Sequence, residues 1–140
     1  MLFRSTLSDR QISQLAAAQV APGNEIPPFL TIDYRRTDPK CRSELALAVQ
    51  QGAFTDEITV LEHFQNPIAL VAGTSEAIVN LAYLQSLSST VRVWRNGVQL
   101  VNDAGHAPQW ERPVVFNDLL RRFARHCFEN GAHARRGTPP

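Results

Sequence analysis

The stretch "IALVAG", residues 68–73, constrains the fold more than any other part of the chain. It is a continuous apolar run, set off by Pro67 and closed by Gly73. Unbroken apolar character without a helical period is the pattern of a strand covered on both faces, as the strands of parallel sheets are. "NLAYLQSL" follows as a short helix with Asn80 at its start. "TVRVWRNGVQLV" then alternates apolar and polar residues, which is strand chemistry. Asn96-Gly97 suits a tight hairpin; the alternative is a short strand or coil and then a true strand over 98–101. A long helix opens at Pro113, with Val115, Phe116, Leu119, Leu120, Phe123 and Phe128 as its apolar residues and Arg121, Arg122 and Arg125 as its wet side. Strand, helix, strand, helix is α/β order, with a right-handed crossover expected.

The first half reads as helices. Ser8 and Gln11 stand at capping-box spacing ahead of Ile12, Leu15 and Ala16, which predicts a helix over 8–20. "APGNEIPPF" ends it, and "TIDYRR" is too short to assign. Asp38 and Pro39 open the next helix and Gly52 is placed to close it, with Leu45, Ala48 and Val49 on one face. A shorter helix spans about 55–64, with Ile58, Leu61 and Phe64 at helical spacing.

A chain of 140 residues suits one domain and would bury roughly 68% of its unfolded surface. Its net charge of +1 gives no reason to expect nucleic acid or an acidic membrane as partner. The apolar runs are too short to span a bilayer and residues 1–20 lack a signal-peptide core, so the expected compartment is the cytoplasm. Cys41 and Cys127 are far apart and read as buried or idle thiols, though a disulfide stays open. His63, His126 and His133 show no metal-ligand spacing, and neither a metal nor a cofactor is expected.

The loop "DAGHAPQWERPVVF", residues 103–116, holds a histidine at its centre. Pro108 is expected to keep the next residues out of a helix, and Trp110 and Glu111 to pack against or cap the helix that starts at Pro113. Together with "IALVAGTSEAIVNLAYL", this stretch resembles the C-terminal end of an α/β-hydrolase. In that family one strand ends near a Gly-x-x-acid turn, the next ends at the catalytic-histidine loop, and a terminal helix closes the domain. The turn here is Gly73-Thr74-Ser75-Glu76, and the histidine is His106. The resemblance implies catalytic roles for His106 as general base and for Glu76 as its acid partner. It also implies that the helical segment "PPFLTIDYRRTDPKCRSELALAVQQGAFTDE" is similar to a cap inserted ahead of the acid-bearing strand.

Two departures qualify the likeness. The family usually carries Asp where Glu76 stands, one methylene shorter. Its nucleophile lies on a G-x-S-x-G turn upstream of the acid, and the chain has no such turn. "GTSEA", residues 73–77, is a near match that follows an apolar strand. If Ser75 were the nucleophile, the acid would have to be Glu76, adjacent to it, or Asp103, almost adjacent to His106. A triad needs three groups converging from different elements, so Ser75 reads as a turn serine.

The expected fold is therefore a partial α/β-hydrolase: a helical cap-like region over 1–66, the last strands and helices of the parallel sheet over 67–129, and a disordered tail over 130–140. Such a chain would be catalytically incomplete alone and would take a small-molecule substrate, an ester or other small apolar compound by family resemblance, only if the nucleophile-bearing half were supplied. An open sheet edge would favour self-association. The alternative is a small non-catalytic α/β binding module. Arg35 and Arg36 read as wet surface, and Phe29, Tyr34 and Trp94 as packing residues.

Overall fold

The computed structural model describes residues 6–136, with side chains described as far as residue 129. Its elements follow the local signals closely. Helix α1 (Asp9–Ala17) starts at a complete capping box: Gln11 N–H donates to Ser8 Oγ and Ser8 N–H donates to the Gln11 side chain. Helix α2 (Pro28–Arg36) takes up the segment that the sequence left unassigned, with Pro28 in the first turn, where its missing N–H costs no helical bond. Asp38 caps α3 (Pro39–Gln50) through Lys40 N–H, and Gly52 leaves it at φ +65°. Helix α4 (Glu57–His63) is capped by Asp56.

Strand β1 (Val71–Gly73) leads into α5 (Leu81–Thr90), whose N-cap Asn80 accepts from Tyr83 N–H. There is no hairpin at Asn96-Gly97. Trp94–Asn96 form a single 3₁₀ turn with Arg95 and Asn96 at positive φ, and strand β2 (Gln99–Val101) follows. β2 runs parallel to β1, with Val71 opposite Gln99, Ala72 opposite Leu100 and Gly73 opposite Val101. The strand reading of residues 98–101 is thus the one realised.

Two elements differ from expectation. Pro108 begins the short helix α6 (Pro108–Glu111) instead of preventing one, because proline at the first helical position needs no N–H partner. Helix α7 (Pro113–Arg136) carries its backbone past residue 129, beyond the boundary drawn for a tail; the stretch to residue 136 contains no proline to stop it. Residues 137–140 of that expected tail lie outside the described residues.

The buried residues gather around the sheet and α1: Ile12, Leu15 and Ala16, then Val20 and Leu30, with Ala72, Val101 and Ala104 at the strands. Leu87, Val91, Val93 and Trp94 continue this core from α5 to the 3₁₀ turn. Trp94 meets both the Arg95 guanidinium, 4.4 Å from its ring, and Phe123 of α7, 5.6 Å away between ring centres. Helices α3 and α4 bury no residue, so Leu45 and Val49 remain exposed on the face expected to pack. On α7, Phe116, Leu119, Leu120 and Phe123 line an apolar groove of about 220 Å³ against Ala69, just ahead of β1, and Val71 of β1. Its arginines lie outward as expected, and Arg122 pairs with Asp118 at 2.6 Å. Arg35 is likewise on the surface, paired with Asp9 at 2.9 Å. Both cysteines are free thiols, and Cys41 is exposed rather than buried. Among the described residues no helix is long and apolar enough to cross a membrane.

Candidate active site

The register of the two strands decides what meets at their C-terminal ends. Gly73 and Val101 are partners, so the chain leaves the sheet side by side at both positions. The two exits are then stitched together. Thr74 N–H donates to the Val101 carbonyl at 3.0 Å, Ser75 N–H to the Ala104 carbonyl at 2.9 Å, and Asp103 N–H to Thr74 Oγ1 at 3.2 Å. This closeness demands glycine at position 73. A Cβ there would fall inside the carbonyl oxygens of Ala104 and Gly105. The loop turns at Asp103, which adopts φ +52°, a conformation that Asp tolerates better than most residues.

This arrangement brings Glu76 and His106 together from opposite sides of the pair of loops. Glu76 Oε2 lies 2.9 Å from His106 Nδ1. The Glu76 side chain is only 4% exposed, whereas the imidazole is 38% exposed. The other carboxylate oxygen, Oε1, accepts from Ile78 N–H at 2.7 Å and Val79 N–H at 3.0 Å. The extra methylene of glutamate is therefore accommodated by the turn that follows it. Burial pushes this carboxyl up, but the two backbone donors and then the imidazole outweigh that, and the group sits below the ordinary glutamate value.

An ionised carboxylate only accepts hydrogen bonds. The Nδ1 of His106 must then carry a proton, and in the neutral ring Nε2, on the partly exposed side, is the nitrogen with the lone pair. The geometry thus holds one ring nitrogen and leaves the other as the one that can act as a base when the ring is neutral.

Ser75 lies in the turn beside Glu76, with its backbone N–H spent on Ala104. It is adjacent in sequence to the carboxylate rather than presented from a separate element. The aromatic residues singled out in the sequence serve packing. Phe29 meets Trp110 edge to face at 4.8 Å, and the Tyr34 hydroxyl accepts from Gln19 at 2.7 Å.

Sequence reasoning missed one residue. The Glu111 carboxylate does not cap α7. It accepts from Ala21 N–H at 2.6 Å, from the Asn24 side chain at 2.8 Å and from Gly105 N–H at 2.6 Å. Asn24 also donates to the Asp103 carbonyl at 3.0 Å. Proximity to His106 was the only signal available, since the partners Ala21 and Asn24 lie at the other end of the chain.

No family model and no curated protein matches the sequence. Solved structures do. The chain is similar to the N-acyl homoserine lactonase AidH, as a mutant complexed with N-hexanoyl homoserine lactone, at 26% identity and a TM-score of 0.79, over 91% of this chain and 46% of that one. The same lactonase complexed with N-butanoyl homoserine gives 26% identity and a TM-score of 0.78, over 90% and 45%. A membrane phospholipase A described as a bacterial virulence factor is 13% identical, with a TM-score of 0.66 over 90% and 40%, a likeness of fold alone. The chain spans about half the length of these proteins or less. Its fold is a partial α/β-hydrolase fold.

The lowered Glu76 carboxyl fixes the sign of a pH effect. In the unfolded chain this group binds a proton at its ordinary value of 4.5, and in the folded chain only at lower pH. Its bonds therefore stabilise the fold fully above the unfolded value, and that contribution is lost as the pH falls through the folded one. Urea unfolding of the native chain and Glu76→Gln should show the native chain more stable at neutral pH, with the gap closing in acid. A gap that does not change with pH would mean that ionised Glu76 does not hold the turn.

Proposed function

We propose that this chain supplies the histidine and the acid of a hydrolase active site, and that its nucleophile comes from elsewhere. The observation that carries the reading is the 2.9 Å contact between His106 Nδ1 and a buried carboxylate, formed where two adjacent parallel strands end. His106 Nε2 would take the proton of a hydroxyl nucleophile as it attacks a substrate carbonyl, then return it to the leaving oxygen. Glu76 would keep the ring in the required tautomer and stabilise the imidazolium that forms. The substrate class is an ester or lactone. The likeness to an N-acyl homoserine lactonase supports a small acylated lactone as the first compound to test.

None of the 140 residues lies in a G-x-S-x-G turn, so the isolated chain should not hydrolyse a short-chain aryl ester or N-hexanoyl homoserine lactone above the rate of His106→Ala. Adding a separately made chain that carries a hydrolase sheet with its nucleophile turn should produce turnover. His106→Ala should then cost on the order of 10⁴–10⁶ in rate, and Glu76→Gln less but still heavily. His106-dependent turnover by the chain alone would overturn the proposal, and Ser75→Ala would show whether that serine is the nucleophile.

We also propose that the chain associates with itself or with such a partner chain. The support is the two-stranded sheet, whose outer β1 edge meets no third strand among the described residues, and the exposed apolar side chains of α3, α4 and α7. Light scattering should find oligomers of the purified chain. A monodisperse monomer with one cooperative melting transition would contradict this.

A further inference from the structure

We infer that Glu111 is a positioning residue for His106, and that it works by locking the histidine loop to the linker between α1 and α2. The inference builds on the proposed role of His106, but its geometry stands independently of that role.

The linker and the loop touch backbone to backbone. Gly105 is buried, and a Cβ on it would lie 2.7 Å from the Val20 carbonyl carbon and 2.8 Å from Ala21 N. No side chain fits between the two segments, so neither can be held by ordinary apolar interdigitation there. Both present a backbone N–H at this junction, Ala21 from the linker and Gly105 from the loop. Two donors facing one place need an acceptor, and Glu111 supplies one oxygen to each. Oε1 takes Ala21 N–H and the Asn24 amide; Oε2 takes Gly105 N–H. Hydrogen bonds to an ionised acceptor are shorter and stronger than neutral ones, and both backbone bonds here measure 2.6 Å.

The consequence for His106 follows from its position. It is the residue after Gly105 and has two anchors. Glu76 holds its ring from the β1 side, and Glu111 holds the backbone N–H of the preceding residue, Gly105, from the other. Asn24 adds a tie to the Asp103 carbonyl, on the same loop. With Glu111 removed, only the Asn24 tie to the Asp103 carbonyl is left on the linker side, the N–H of Gly105 loses its acceptor, and the ring is less firmly held at its 2.9 Å contact with Glu76. The helical first half of the chain is thereby part of what places the histidine.

The carboxylate is specifically required. A glutamine in its place has one acceptor oxygen, and its other terminal atom is itself a donor. Either Gly105 N–H or the Ala21 and Asn24 pair would then face an N–H₂ group. An aspartate keeps the charge but is one methylene too short to reach both sides.

Nuclear magnetic resonance on the full chain tests this without any assay of turnover, so a failed hydrolase reading would leave the result standing, and the reverse. In the native protein, couplings across the hydrogen bonds should connect the amide nitrogens of Ala21 and Gly105 to the Glu111 carboxyl carbon. Their absence would overturn the inference whether or not any variant folds. In Glu111→Gln, amide exchange at Gly105 or Ala21 should rise by about ten-fold or more while the amides of α5 and α7 keep their protection. The Nδ1 proton of His106 should broaden or disappear in that variant, and Glu111→Asp should restore it only in part. A Glu111→Gln protein in which Gly105 is released but the His106 ring signal is unchanged would show a structural tie without a positioning role, and would overturn the inference.

Discussion

The parallel pairing of two three-residue strands is the constraint on which the rest depends. With Gly73 set opposite Val101, both strands end at the same level, and the turns that follow have to share one small volume. Glycine at position 73 permits that approach, and the backbone bonds from Thr74 and Ser75 fix it. A slip of one residue in this register would send the side chains of one strand to the opposite face, against neighbours that they do not fit. It would also carry Glu76 away from His106. The site is a product of strand register rather than of any local motif.

Packing around this pair is uneven. The sheet, α1 and the segment from α5 to Trp94 bury their apolar side chains, while α3 and α4 bury none. The groove between α7 and β1 is apolar and open. Around that loop the polar groups are satisfied by carboxylates: Glu76 serves Ile78, Val79 and His106, and Glu111 serves Ala21, Asn24 and Gly105. Two acids at the centre of the hydrogen bonding fit a loop that must hold its shape in backbone that is mostly without regular structure.

What the sequence revealed were features whose causes are local. The caps at Ser8, Asp38 and Asn80 are side chains reaching two or three residues along the chain, and each forms as its spacing indicates. The apolar "IALVAG" run and the histidine loop were also legible, because strand burial and loop chemistry leave their mark on neighbouring residues. Pro108 was misread because proline both stops and starts helices, and the choice depends on which backbone groups lie ahead of it. Asn96-Gly97 was open between two readings because its positive φ suits a hairpin as well as the turn found there. Glu111 was not legible as a clamp at all. Two of its three partners, Ala21 and Asn24, come from the other end of the chain, and no periodicity or spacing records a contact over that separation.

The account rests on Glu76 being an ionised acceptor that fixes the proton of His106 on Nδ1. The most direct measurement is the tautomer of His106, read from the nitrogen shifts of its ring in the native chain and in Glu76→Gln at neutral pH. Where it is neutral, the native ring should carry its proton on Nδ1 with Nε2 bare. In the variant, the amide oxygen would keep Ile78 and Val79 while its N–H₂ faces the ring, so the proton should move to Nε2. A native ring already protonated on Nε2, or a tautomer that ignores the substitution, would contradict the account.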